Sequence, residues 1–182
     1  MLVFFNGSES GADSSYLAFD LDGFSTDING ILTVGSSNVS PVPEFLIPPA
    51  IIQNGADAVA IYQGSADDFP EGTLATTTNL IDALAYDTND ADDTVLLCLL
   101  GLTEQINEGE NGNQTTESIQ RNNDGSYTVT TPTPGALNDG SGVDLNGVSF
   151  TVDQQEYSEG DTMTITFTTE AVSYTHLRAH ET

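Results

Sequence analysis

The sequence predicts an all-β fold, a β-sandwich, and three observations carry the all-β part. Short runs rich in β-branched and aromatic residues alternate apolar with polar positions along most of the chain. Gly, Asn, Asp, Ser and Thr punctuate those runs at close intervals, as turns require. Hydrophobic residues make up 37% of the 182 residues, and only one run invites a helical reading. That length suffices for one domain with a real core, or one domain and part of another.

The elements follow in order. Leu2–Phe5 reads as a strand ending in the turn signal Asn6-Gly7-Ser8. Tyr16–Leu21 alternates, with Leu17, Phe19 and Leu21 on one face and Tyr16, Ala18 and Asp20 on the other. Asp27-Ile28-Asn29-Gly30 predicts a tight turn before a strand at Ile31–Val34. Pro41, Pro43, Pro48 and Pro49 then argue against a regular ladder over residues 36–54. Asp57–Gln63 predicts a strand in which Val59 and Ile61 alternate with Ala58, Ala60 and Tyr62. Asn79–Tyr86 predicts the next, with Leu80, Asp82, Leu84 and Tyr86 on one side. Asp82 then has apolar neighbours, so it is expected to bond backbone amides or to pair with Arg121.

Asp87–Asp93 leads into the run TVLLCLLG. An aspartate can cap a helix start and Gly101 can end one, which predicts a short helix over 93–100. A buried strand is the competing reading, because short apolar runs are ambiguous by period. Residues 103–117 read as a polar loop, Asn122–Gly125 as a turn and Tyr127–Thr131 as a closing strand. Pro132, Pro134 and Gly135 then predict an extended exit. Residues 1–138 form the first domain on this reading, 139–147 a linker, and 148–171 the start of a second β-domain with strands at Val148–Val152 and Met163–Thr169. The last eleven residues, 172–182, carry both histidines and Arg178 and resemble a translated sequencing adapter. They are set aside from the fold argument.

Charge narrows the function classes. Twenty-eight acidic residues face two basic ones, a formal net charge of −26, and lysine is absent. Such a surface repels phosphate backbones, which argues against nucleic-acid binding by this segment. No run of about eighteen apolar residues predicts a membrane-spanning helix. Cys98, the one cysteine, stands among leucines and reads as a small buried hydrophobe. A Ser or Cys nucleophile needs a base, and no His or Lys precedes the adapter-like tail. No glycine-rich phosphate loop and no Cys/His metal spacing is present, so no catalytic residue and no cofactor site is assigned.

Two aspartate groups, Asp20/Asp22/Asp27 and Asp87/Asp90/Asp92/Asp93, offer oxygen ligands for calcium, with Asp87, Asp90 and Asp92 the favoured set. Neither matches the twelve-residue calcium loop, and turn and cap roles compete. Arg121, the one cation before the tail, reads as a structural brace whose guanidinium forks onto a buried carboxylate such as Asp82, or onto loop carbonyls, rather than an anchor for an anion.

Several of these stretches together resemble the bacterial lamin-tail domain. They are residues 54–62 (NGADAVAIY), Ile81-Asp82-Ala83-Leu84-Ala85-Tyr86, residues 117–121 (ESIQR), Asp124-Gly125-Ser126 and residues 131–138 (TPTPGALN). The resemblance spans roughly residues 1–138 and implies an immunoglobulin-like sandwich whose first strands are missing, with Tyr86, Gly125, Pro132, Pro134 and Gly135 in structural roles. Residues 148–169 are similar to the opening of another immunoglobulin-like domain. The family implies a non-catalytic accessory module of a secreted or cell-surface multidomain protein, partnered by other domains of its polypeptide and an extracellular ligand. Two alternatives stay open: an appendage of an extracellular nuclease or phosphoesterase, and a calcium-dependent adhesion module.

Overall fold

A computed structural model describes residues 1–8, 11–122 and 124–138, together with the backbone of two strands at 148–152 and 165–169. The fold is mostly β, with 30% strand and one short helix. The linker and the adapter-like tail lie outside the described residues.

Five strands form the main sheet: β1 (Leu2–Asn6), β2 (Ser14–Phe19), β5 (Asp57–Tyr62), β6 (Leu80–Asp87) and β7 (Ile106–Asn107). Their order is β2-β1-β5-β6-β7, with β7 alone parallel to its neighbour. Between β2 and β5 lie two short strands, β3 (Val34–Gly35) and β4 (Phe45–Leu46), paired in parallel. Beyond β7, β8 (Ser118–Arg121) and β9 (Tyr127–Thr130) form an antiparallel hairpin. β10 (Val148–Val152) pairs antiparallel with β11 (Ile165–Thr169).

The register divides the sheet into two faces. Phe5 stands opposite Ala58 and Ala58 opposite Ala85, while Val3, Ala60 and Ala83 form the next row. Opposed residues share a face, so these side chains point the same way. With Tyr62, Phe69, Ala75, Leu96, Leu97 and Leu100, most of them make up the principal buried cluster. Small alanines on β5 and β6 leave room for a helix to approach. α1 (Thr94–Leu100) supplies that cover with Leu96, Leu97 and Leu100, so this core lies between sheet and helix rather than between two sheets.

The helix forms for the reasons its sequence suggests. Asp93 is the N-cap and its carboxylate accepts from the amides of Val95 and Leu96, both at 3.0 Å. Gly101 ends the helix in the left-handed region, at φ 69°, where a Cβ is disfavoured. The same helical period turns Cys98 away from the leucine face. It is exposed, contrary to the buried position expected of it.

Four further expectations are corrected. β2 contains a bulge: Phe4 faces Leu17 but Phe5 faces Ser15, so Tyr16 is the extra residue and its ring lies 6.1 Å from that of Phe4. Simple alternation therefore fails at Tyr16 and holds over Leu17–Phe19, where the strand ends. The strand expected at 31–34 shrinks to Val34–Gly35, and its partner β4 lies within the proline-rich stretch where a ladder seemed excluded. Two residues fit between Pro43 and Pro48 because parallel pairing uses only the amides of Phe45 and Ile47, at 3.1 and 2.9 Å. β8 extends the closing strand into a hairpin. The exit bends instead of running extended: Pro134 and Gly135, the latter at φ 69°, sit centrally in a turn closed by the Ala136 amide on the Thr133 carbonyl at 3.1 Å.

On the opposite face of the sheet, Phe19 meets Phe45 of β4 at 5.8 Å, and Phe24 meets Phe45 at 4.9 Å. Arg121 of β8 reaches Asp82 of β6 there. Both short ribbons thus touch the face that α1 leaves open.

Candidate functional site

The Arg121–Asp82 pairing forms as expected, through a single guanidinium nitrogen at 2.6 Å. It is not the buried fork foreseen. The side chains are 47% and 51% exposed, and half-solvated pairs contribute little. Asp82 faces outward because the row it shares with Ile61 lies on the sheet face opposite the core. The bond therefore pins the β8–β9 hairpin onto β6 and leaves the guanidinium no buried pocket for an anion.

Gly125 closes the hairpin turn at φ 88°, donating to the Asn122 carbonyl at 3.0 Å. Asp124 Oδ1 accepts from the Ser126 amide and hydroxyl, which lowers that carboxyl below its ordinary range. Pro132 and Pro134 are exposed, and Gly135 packs so close to Pro41 that a Cβ would stand 2.7 Å from the proline ring.

The aspartate groups are dispersed. Asp20 accepts from the Ala66 amide at 2.6 Å, while Asp27 holds its own turn by accepting from the amides of Asn29 and Ile31. Asp87 is buried, and both its oxygens are engaged, Oδ1 by the Asp90 amide at 3.1 Å and Oδ2 by Gln105 Nε2 at 2.9 Å. Gln105 Oε1 in turn accepts from the Asp93 amide at 3.0 Å. Asp87 thus ties the loop before α1 to the segment after it. Asp90 and Asp92 are exposed. Among the described residues, no three Asp, Glu, His or Cys side chains converge as a metal centre.

Sequence reasoning missed the polar groups gathered at the start of β5. Asp57 is 2% exposed. Its Oδ1 accepts from the Gly7 amide at 3.3 Å, and its Oδ2 has no partner. Burial raises its carboxyl above the ordinary value, opposed by the Gly7 hydrogen bond and reinforced by Asp90. Across the strand pair stands Tyr86. Its hydroxyl donates to the Gln53 carbonyl at 3.2 Å, and the Gln53 amide donates to the Tyr16 hydroxyl at 3.1 Å. Burial pushes both phenols upward, with Tyr16 and Asp57 adding to the shift at Tyr86. The structural role expected of Tyr86 takes this form: with Tyr16 it clamps the strand-connecting loop at Gln53. The available signal was an acid placed in register with Tyr86 on a predicted strand, but Asn54-Gly55-Ala56-Asp57 reads locally as turn chemistry.

A second pair of acids joins residues distant in sequence. Asp13 and Asp93 approach closely enough that burial, the Asp93 charge and a shared hydrogen bond all raise the Asp13 carboxyl. Two carboxylates in contact favour one shared proton.

No protein family, curated protein or solved structure matches the chain. Among the described residues, no helix is long and apolar enough to cross a membrane.

Proposed function

We propose that this chain is a non-catalytic β-module that spaces or presents binding surfaces within a larger exported protein, in the manner of a lamin-tail domain. One observation carries the reading: the buried Ser15, Asp87 and Gln120 side chains, with the Tyr62 hydroxyl, are engaged in holding loops. Ser15 donates to the Pro70 carbonyl at 2.8 Å and accepts from the Thr73 amide at 3.2 Å. Tyr62 donates to the Thr76 carbonyl at 2.8 Å, and Gln120 to the Thr131 carbonyl at 2.6 Å. Asp87 ties the segments flanking α1 as described. Side chains fixed this way brace a scaffold and are not aimed at a substrate.

The immunoglobulin-like sandwich belongs to the same proposal. β3–β4 and β8–β9 form its second layer, a reading supported by the Phe19–Phe45 contact and the Arg121–Asp82 bond on the sheet face opposite α1. A secreted or surface location fits a charge of −26, which favours solubility and mutual repulsion. The test is turnover by the purified chain on phosphodiester, phosphomonoester, ester and glycoside substrates, with and without Mg²⁺, Ca²⁺ and Zn²⁺. The proposal expects rates equal to the uncatalysed background, and any saturable turnover by this chain overturns it.

A further inference from the structure

Two side-chain oxygens in the described part of the molecule are buried with nothing to bond, Asp57 Oδ2 and Thr88 Oγ1. They lie at the same end of the main sheet. Asp57 opens β5 directly opposite Tyr86, and Thr88 follows the last residue of β6. Gly55 lies two residues before Asp57, and Thr88 two residues after Tyr86. Asp57 Oδ2 leans the same way: a Cβ on Gly55 would stand 3.8 Å from it. The two orphaned oxygens therefore lie at one junction, the gap where the chain enters β5 and leaves β6. The carboxylate is held in that orientation by its other oxygen on the Gly7 amide.

A second carboxylate, that of the exposed Asp90, follows Thr88 by two residues. The Asp90 backbone is anchored to Asp87 Oδ1, and its charge is felt at Asp57. Among the described residues, no protein cation compensates them. Lysine is absent, Arg121 is committed to Asp82, and the N-terminal ammonium donates to the Tyr62 carbonyl at the opposite end of β5. An ionised carboxylate this deeply buried is costly without a counter-charge.

We propose that the gap binds a hard divalent cation of the calcium class, ligated by Asp57 Oδ2, Thr88 Oγ1 and the Asp90 carboxylate. Backbone carbonyls and water complete the all-oxygen shell that such ions take. The site shares only Asp90 with the Asp87/Asp90/Asp92 set read from the sequence, because Asp87 already has both oxygens engaged. Two carboxylates place it at the weak end of calcium affinities, on the order of 10⁻⁴–10⁻³ M, as in extracellular modules. Without the cation, Asp57 relieves its burial by holding a proton more tightly.

Calorimetric titration of CaCl₂ into the chelator-treated full chain, in 0.15 M NaCl, tests the site. One saturable event per chain is expected. Asp57→Asn abolishes it, Thr88→Ala weakens it at least threefold, and Asp92→Asn, an exposed acid in the same loop, leaves it unchanged. Terbium used as a probe should luminesce on excitation of Tyr16 and Tyr86, and lose that signal in Asp57→Asn. Absence of a saturable event in the wild type overturns the proposal. So does binding retained by a folded Asp57→Asn, or equal stabilisation of all variants by calcium, the mark of general screening. Should Asp57→Asn fail to fold, undiminished binding by Thr88→Ala overturns it alone.

Discussion

Asp57 carries a cost that pH can remove. Its carboxyl is raised by burial, as are those of Glu108 and, with help from Asp93, Asp13. A carboxyl that holds its proton more tightly folded than unfolded stabilises the fold fully below its unfolded value. That contribution disappears as pH rises through the folded value. Asp27, Glu44 and Asp124 are shifted the other way, but they are fully exposed and solvent screens them. In chelator, the melting temperature should therefore rise from pH 7.5 toward pH 5, and Asp57→Asn should flatten that rise. A melting temperature that falls steadily over the interval contradicts the assignment. Arg121 offers the opposite expectation. Its half-exposed pair with Asp82 contributes about 0.2–1 kcal/mol, so Arg121→Ala should shift chemical denaturation by no more than that. A loss of several kcal/mol would show a buried role that the exposure does not support. The partner of Arg121 was legible in the sequence because one cation had to meet a carboxylate. Asp57 was not, because its orphaned oxygen depends on a register that only the folded sheet supplies.

Among the elements, α1 is the one whose limits the sequence specified most sharply. An aspartate before an apolar run and a glycine after it carry the same physical meaning in isolation as in the fold. Asp93 nevertheless serves two opposing effects. Its cap contributes about 1 kcal/mol, while its charge repels Asp13. Asp93→Ala should destabilise the chain by roughly that cap energy. Asp93→Asn keeps a capping oxygen and removes the like charge, so it should match or exceed wild-type stability near pH 7. Equal losses in both variants would mean that the charge, not the cap geometry, holds the helix. The long regular strands β5 and β6 were legible from alternation, and β1 from an apolar run that ends in a turn signal. β3 and β4 were not, since two residues carry no period and their pairing is fixed by distant packing of Phe45 against Phe19 and Phe24. The bulge at Tyr16 was hidden for a related reason, because nothing in SSYLAF marks which residue β1 skips.

For the molecule as a whole, two facts compete: an alanine-lined sheet closed by one seven-residue helix, and 26 net negative charges. Self-repulsion opposes compaction and salt screens it, with a Debye length of about 10 Å at 0.1 M and about 3 Å at 1 M. The melting temperature should therefore climb between 0.05 and 1 M NaCl, and a flat response contradicts that balance. What remains is a scaffold in which one core, on one face of one sheet, holds the described chain while buried polar groups fasten its loops. Amide hydrogen exchange near neutral pH tests that claim most directly. The account predicts that β1, β5, β6 and α1 share the strongest protection and open together as one unit, with β3–β4 and β8–β9 exchanging sooner. Protection strongest in the β8–β9 hairpin, or an α1 that exchanges freely while the sheet stays closed, would contradict it.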